Sequence, residues 1–225
     1  MSITDNIDAV DSRIRSACQA VGRAPSDVRL LAVSKTRTHE DVEAAMVAGQ
    51  VDFGENYLQD ALSKVERLAA TWHFIGAIQS NKTRLIAENF SWVHTLSSVK
   101  VAKRLDTQRP DHLPVLNTLL QVNIDNDPAK SGLSVDDVSG FLAGTRDLER
   151  LRICGLMTIP ARAQADQITD IRAPFARLRE LRDSLRSDYP DLTHLSMGMS
   201  EDLEAAIAEG ATWVRIGTAI FGART

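Results

Sequence analysis

Cysteine and lysine are scarce in this chain, and no apolar run approaches the length of a membrane span. The two cysteines, Cys18 and Cys154, lie far apart and form no C-x-x-C pair. Structural thiols in a reducing compartment fit them better than a disulfide or a metal site. No basic excess exists either: the net charge is −4, which argues against a nucleic-acid partner held by overall charge. The first residues are acidic and amphipathic, unlike a secretory leader, so a cytoplasmic protein without membrane contact is expected. Walker, G-x-G-x-x-G and G-x-S-x-G motifs are absent. The five histidines show no metal spacing, and His73 and His94 read as packed, hydrogen-bonded strand residues. Asp125-Asn126-Asp127 begins like a calcium loop, but Ala129 and Lys130 break that pattern. No Pro/Gly/Ser-rich linker, low-complexity tract or exact repeat divides the chain.

What is present is an alternation. Ile7, Val10, Ile14, Ala17 and Val21 recur at helical spacing before Gly22, predicting a helix over 3–21. Apolar stretches at 30–34, 51–54, 72–75, 92–95, 115–122, 151–157, 192–195 and 213–216 read as eight strands. Helical patterns separate most of them, including 57–70 and an arginine-rich helix over 165–187 that Pro174 could kink. Its arginines at 172, 177, 179, 182 and 186 read as a solvated face alternating with Glu180 and Asp183. Eight βα units in 225 residues predict a single (β/α)8 TIM-type barrel, residues 28–225, with an extra N-terminal helix over 1–22. An open doubly wound sheet is the alternative, because alternation does not reveal closure.

In a barrel, function collects where strands end at their carboxyl side. Those positions hold Lys35, Glu55-Asn56, His73, Asn123, Met157, residues 196–200 and residues 215–218. The chain carries six lysines against twenty arginines, and only Lys35 stands at the exit of a buried-type run, Leu30-Leu31-Ala32-Val33-Ser34. Burial lowers the pKa of a lysine, and the neutral amine is the form that attacks a carbonyl carbon. The alternative is a lysine that snorkels to solvent. Ser200, read as the start of a helix, offers a hydroxyl and a backbone N–H to a phosphate. Gly217-Thr218-Ala219 offers close backbone approach, a hydroxyl and a helix start. Taken singly, Ser200 and Thr218 are equally ordinary helix caps. A strand-end lysine beside a phosphate cradle suggests pyridoxal 5'-phosphate (PLP) held as a Schiff base.

Several motifs together resemble one family. They are Ala32-Val33-Ser34-Lys35-Thr36, Phe53-Gly54-Glu55-Asn56-Tyr57, Trp72-His73-Phe74-Ile75-Gly76 followed by Gln79-Ser80-Asn81-Lys82, and Lys130-Ser131-Gly132. Gly155-Leu156-Met157, Ser196-Met197-Gly198-Met199-Ser200-Glu201-Asp202 and 214–222 complete the set. They resemble the PLP homeostasis proteins, whose barrel is similar to the N-terminal domain of alanine racemase. The resemblance implies Lys35 as the PLP-bearing residue, phosphate contacts from Ser200, Gly217 and Thr218, Arg215 at the pyridine nitrogen, and Asn56 in the pocket. It implies a carrier or regulator of B6 vitamers and amino-acid pools without established turnover, with PLP-requiring apoenzymes as recipients. A monomer is expected. A PLP-dependent amino-acid racemase is the alternative. Racemases of this fold need a second domain that brings a tyrosine across a dimer, and they carry a tyrosine where this chain has His39. Tyr57 could stand in as the second acid/base, although an aromatic opening a helix is more often core.

Overall fold

The computed structural model describes residues 2–161 and 170–223. Eight parallel strands follow one another around a closed barrel: β1 (Arg29–Val33), β2 (Asp52–Glu55), β3 (Thr71–Phe74), β4 (Trp92–Leu96), β5 (Leu116–Gln121), β6 (Leu151–Met157), β7 (His194–Ser196) and β8 (Trp213–Ile216). The β1–β8 ladder, with Leu31 opposite Arg215 and Ala32 opposite Ile216, closes the sheet and rules out the open alternative.

Helices α1 (Ile3–Ala20), α2 (His39–Val47), α3 (Leu58–Val65), α4 (Thr83–Asn89), α5 (Val99–Gln108), α6 (Asp137–Ala143), α7 (Ala173–Leu185), α8 (Leu203–Ala208) and α9 (Thr218–Phe221) accompany the strands. α1 starts at a capping box, in which Ser2 Oγ accepts from Asp5 N and Asp5 Oδ2 accepts from Ser2 N. It buries Ile7, Val10, Ile14, Ala17 and Cys18 against α2, α8 and α9, covering the seam where the barrel closes. Val21 is exposed because the helix has already ended, and Gly22 takes the left-handed φ of 68° that stops it.

Other boundaries shift for local reasons. Val115 is exposed and Val122 forms only an isolated bridge to Leu133, so both fall outside β5. β7 begins later than the apolar run, because Leu192 N–H donates to Tyr189 O within a turn. The helix start expected at Ala165 lies outside the described residues, and α7 carries Pro174 in its first turn, where a missing N–H is tolerated. The arginines around α7 are more engaged than a solvated face. Arg172 and Arg179 both clamp Glu209, which is buried, and Arg177 reaches Asp125. No described helix is long and apolar enough to cross a membrane.

Candidate functional site

Lys35 sits on a tight turn just beyond β1, where Arg37 N–H donates to Ser34 O at 3.1 Å. Thr36 within that turn has φ 62°, a left-handed conformation that is strained for a β-branched residue, by about 1–3 kcal/mol. A buried cluster holds the base of the turn in place. Ser34 Oγ donates to Glu55 Oε1 at 2.6 Å, and Lys64 Nζ donates to the same oxygen at 2.7 Å and to Ser34 O at 2.8 Å. The Glu55 and Lys64 side chains are 0% and 3% exposed. Burial pushes the Glu55 carboxyl up, against the opposing pull of Lys64 and Ser34. Lys35 itself is half-buried.

Asn56 follows β2 directly. At Gly76 a Cβ would lie 1.9 Å from the Asn56 carbonyl oxygen, so only glycine lets the end of β3 pack this closely against it. Asn56 Oδ1 is buried and meets no partner among the described residues. Arg215 points into the barrel from β8 and is 6% exposed. Its Nη1 donates to Ser196 Oγ at 2.8 Å and its Nη2 to Thr158 O at 2.9 Å. Burial lowers its pKa to about 10, which still leaves it cationic at neutral pH.

Ser200 and Thr218 lie in the segments that follow β7 and β8, and neither is a helix cap. Asp202 occupies the N-cap position of α8 and Gly217 that of α9, so the expectation that Ser200 starts a helix is corrected. A turn in which Asp202 Oδ1 accepts from Met199 N–H delays α8, and Arg13 of α1 donates to Ser200 O at 3.0 Å, fixing this loop from outside the barrel. Lys35, Asn56, Ser200, Arg215, Gly217 and Thr218 therefore occupy the ends of β7, β8, β1 and β2, four strands adjacent around the closed barrel.

The other strand-end candidates serve the fold. Asn123 bonds the backbone of Asp127 within a loop, and Met157 packs with Leu119 and Cys154. His73 is not at the mouth: it lies inside the barrel, bonded to Asp52, the first residue of β2. Tyr57 is 53% exposed, not core, because it precedes α3 at the N-cap with its ring outside. The Glu55–Lys64–Ser34 cluster and the partners of Arg215 are the parts that sequence reasoning missed. Glu55 already stood among the strand ends, but nothing local marked Lys64, an ordinary helix lysine in the sequence, as its partner. Among the described residues no group of three or more His, Cys, Asp or Glu could hold a metal.

The interior histidines make stability depend on pH. Burial, His73, Arg215 and His194 hold His94 well below 6.5. Burial outweighs Asp52 to lower His73, and burial with Arg29, Arg152 and Arg182 brings His194 to about 4. All three are neutral in the fold at pH 7 and take up protons on unfolding near 6.5, so the unfolded state binds more protons. Stability should be whole above pH 6.5 and decline below it, as the unfolded chain takes up protons that the buried rings refuse. Denaturant titrations at pH 7 and pH 5 measure this; equal stabilities would contradict it.

The alanine racemase N-terminal domain family matches residues 6–225. The pyridoxal phosphate homeostasis protein of Pseudomonas aeruginosa is 54% identical over 226 residues, covering 99% of this chain and 96% of that protein. The protein of the same name from Escherichia coli K12 is 44% identical, covering 99% and 97%. PipY of Synechococcus elongatus, solved with PLP bound, superposes with a TM-score of 0.85 at 34% identity, covering 98% of this chain and all of that one. Full-length identity at this level, on the same closed barrel, shows that the chain belongs to the pyridoxal phosphate homeostasis proteins, within the alanine racemase N-terminal domain family.

Proposed function

We propose that this protein binds PLP through a Schiff base to Lys35 and holds it for intracellular PLP homeostasis, without acting as an enzyme. The observation that carries the reading is a half-buried lysine on a strained, internally braced turn, one strand away from a buried guanidinium on β8. The names of the relatives and the PLP-bound state of PipY support the cofactor. The residues suit it chemically: an amine, a fixed cation, two hydroxyls outside helix caps, and a buried amide oxygen on Asn56 that lacks a donor. PLP supplies an aldehyde that an amine captures reversibly and a ring able to accept electrons. Lys35 would bind the aldehyde carbon, Ser200, Gly217 and Thr218 the phosphate, Arg215 the ring nitrogen, and Asn56 the pocket wall.

Arg215 argues against turnover. With a pKa of about 10 it would donate to the ring nitrogen of bound PLP and oppose protonation there, which would weaken the ring as an electron sink. The two unpaired, buried cysteines suit a cytoplasmic protein. We take it to work as a monomer, with apoenzymes as recipients of PLP and neither nucleic acid nor membrane as partner.

Titration with PLP, borohydride reduction, intact mass and peptide mapping test the reading. A visible band and one adduct on Lys35 are expected; no band and no adduct would reject it. Ser200→Ala or Thr218→Val should each weaken PLP binding about tenfold, the worth of one charge-assisted hydrogen bond. Pyridoxal binding as tightly as PLP would remove the phosphate cradle. Racemisation of a common amino acid at about 1 s⁻¹ or faster would overturn the non-enzyme assignment.

A further inference from the structure

Four hydrogen bonds join Arg215 to a carboxylate at the opposite end of the barrel. Arg215 Nη1 meets Ser196 Oγ at 2.8 Å, Ser196 Oγ meets His94 Nδ1 at 2.9 Å, His94 Nε2 meets His73 Nδ1 at 3.0 Å, and His73 Nε2 meets Asp52 Oδ1 at 3.1 Å. Ser196, His94 and His73 are fully buried, whereas the Asp52 side chain is 13% exposed at the amino-terminal end of β2.

The two ends dictate the direction of every bond between them. A guanidinium only donates, so Ser196 Oγ accepts from Arg215. A carboxylate only accepts, so His73 carries its proton on Nε2. Neutral His73 then accepts at Nδ1, which requires His94 to donate from Nε2. His94 Nδ1 in turn accepts the Ser196 hydroxyl proton. One arrangement thus satisfies all four contacts with both rings neutral, and each donor points toward Asp52. The surroundings favour neutral rings: both are fully buried, Arg29 on β1 places a positive charge near His73, and Arg215 on β8 places one near His94. The buried cation on β8 and the carboxylate on β2 are the charges that terminate this chain.

We propose that Asp52, His73, His94 and Ser196 are positioning residues that form a one-directional hydrogen-bond relay, setting the place and donor direction of Arg215 from the far end of the barrel. The relay concerns this chain's own side chains. Only its consequence for PLP rests on the function proposed above, through the contact of Arg215 with the ring nitrogen.

Histidine nitrogen NMR on PLP-free protein reads the relay directly. In the wild type both His73 and His94 should be neutral and protonated on Nε2, by about tenfold or more over the other tautomer. Asp52→Lys puts a donor opposite His73 Nε2, so both rings should invert to Nδ1–H, although His94 makes no contact with residue 52. Asp52→Asn, whose amide oxygen can still accept, should retain the wild-type tautomers. If Asp52→Lys does not fold, Asp52→Leu serves: the tautomer ratio of His94 should fall about tenfold. Wild-type His94 protonated on Nδ1, or a His94 unmoved in a folded Asp52→Lys or Asp52→Leu protein, would overturn the relay.

The visible spectrum of added PLP then separates the two layers. Arg215→Gln should shift it if Arg215 meets the ring, and Asp52→Lys (or Asp52→Leu in its place) should shift it the same way. Inverted tautomers with a spectrum unmoved by both substitutions would leave the relay standing and reject the ring contact. A shift with Arg215→Gln alone would overturn the coupling of the relay to the cofactor.

Discussion

Lys35→Ala protein mixed with PLP is expected to develop no visible band and, after borohydride, no adduct by mass. The loss should be complete because no other lysine is placed to substitute. Lys64 is buried and committed to Glu55 and Ser34, and Lys130 donates to Ile159 O at 2.8 Å from the loop after β5. Lys82 precedes α4, and Lys100 and Lys103 lie on α5, on the far side of the barrel from the β8–β1 seam. Binding without a covalent bond should persist, since Ser200, Thr218 and Arg215 remain, and a phosphate held by charge-assisted hydrogen bonds keeps roughly 1.5–3 kcal/mol from each. Equilibrium dialysis would then detect PLP that borohydride does not fix. A full-strength adduct mapped to Lys82 or Lys130 in this variant would remove Lys35 from its role.

Lys64→Met is expected to cost about 3–5 kcal/mol of folding stability at pH 8, the penalty for stranding a buried charge. Methionine fills the space of the lysine stem, so cavity formation contributes little. What remains is Glu55, fully buried, with one oxygen already lacking a partner and the other reduced to the Ser34 hydroxyl. Its pKa, already raised by burial, should rise further once Lys64 is gone. A carboxyl whose folded pKa lies above its unfolded value loses stability as pH rises through that folded value. The defect should therefore be large at pH 8, smaller at pH 5, and absent below about 4.3, where both states are protonated. Adding Glu55→Gln to Lys64→Met should recover much of the loss, because no charge is left to bury. Denaturant unfolding of the single and double variants at both pH values measures this. A single-variant cost below about 1 kcal/mol at pH 8 would show that Glu55 is neutral in the native protein. PLP affinity should fall alongside stability, since this pair anchors the turn that carries Lys35.

The residues of the site were legible in different degrees. Lys35 stands out because a lysine ending an apolar run is a local fact, readable from the six consecutive residues 30–35. The N-terminal helix is equally local, since capping and 3.6-residue spacing act within a turn or two. The eight apolar stretches were countable, and their alternation with helices made parallel pairing the expected outcome. Asn56 and Arg215 were marked by motif resemblance, and their physical setting needed the fold.

Tertiary structure alone decided what joins distant segments. Closure is a pairing of residues 29–32 with 213–216, and no periodicity within either strand encodes it. The bond from His94 to Ser196 spans 102 residues, so His94 read only as a packed strand histidine. Lys64 looked like any helix lysine until α3 folded over the end of β2 and buried it against Glu55. Ser200 and Thr218 read as possible caps, yet the turn at Met199–Asp202 moves the start of α8 beyond Ser200, and Gly217 takes the cap of α9, leaving Thr218 as its first residue. Tyr57 reads in the sequence either as a stand-in acid/base or, more commonly for an aromatic opening a helix, as core; the direction in which α3 leaves β2 turns it outward. Local patterns fix which face a segment buries, because burial follows from spacing. They do not fix which side chains meet across the barrel, because that depends on strand order, register and helix entry angle acting together.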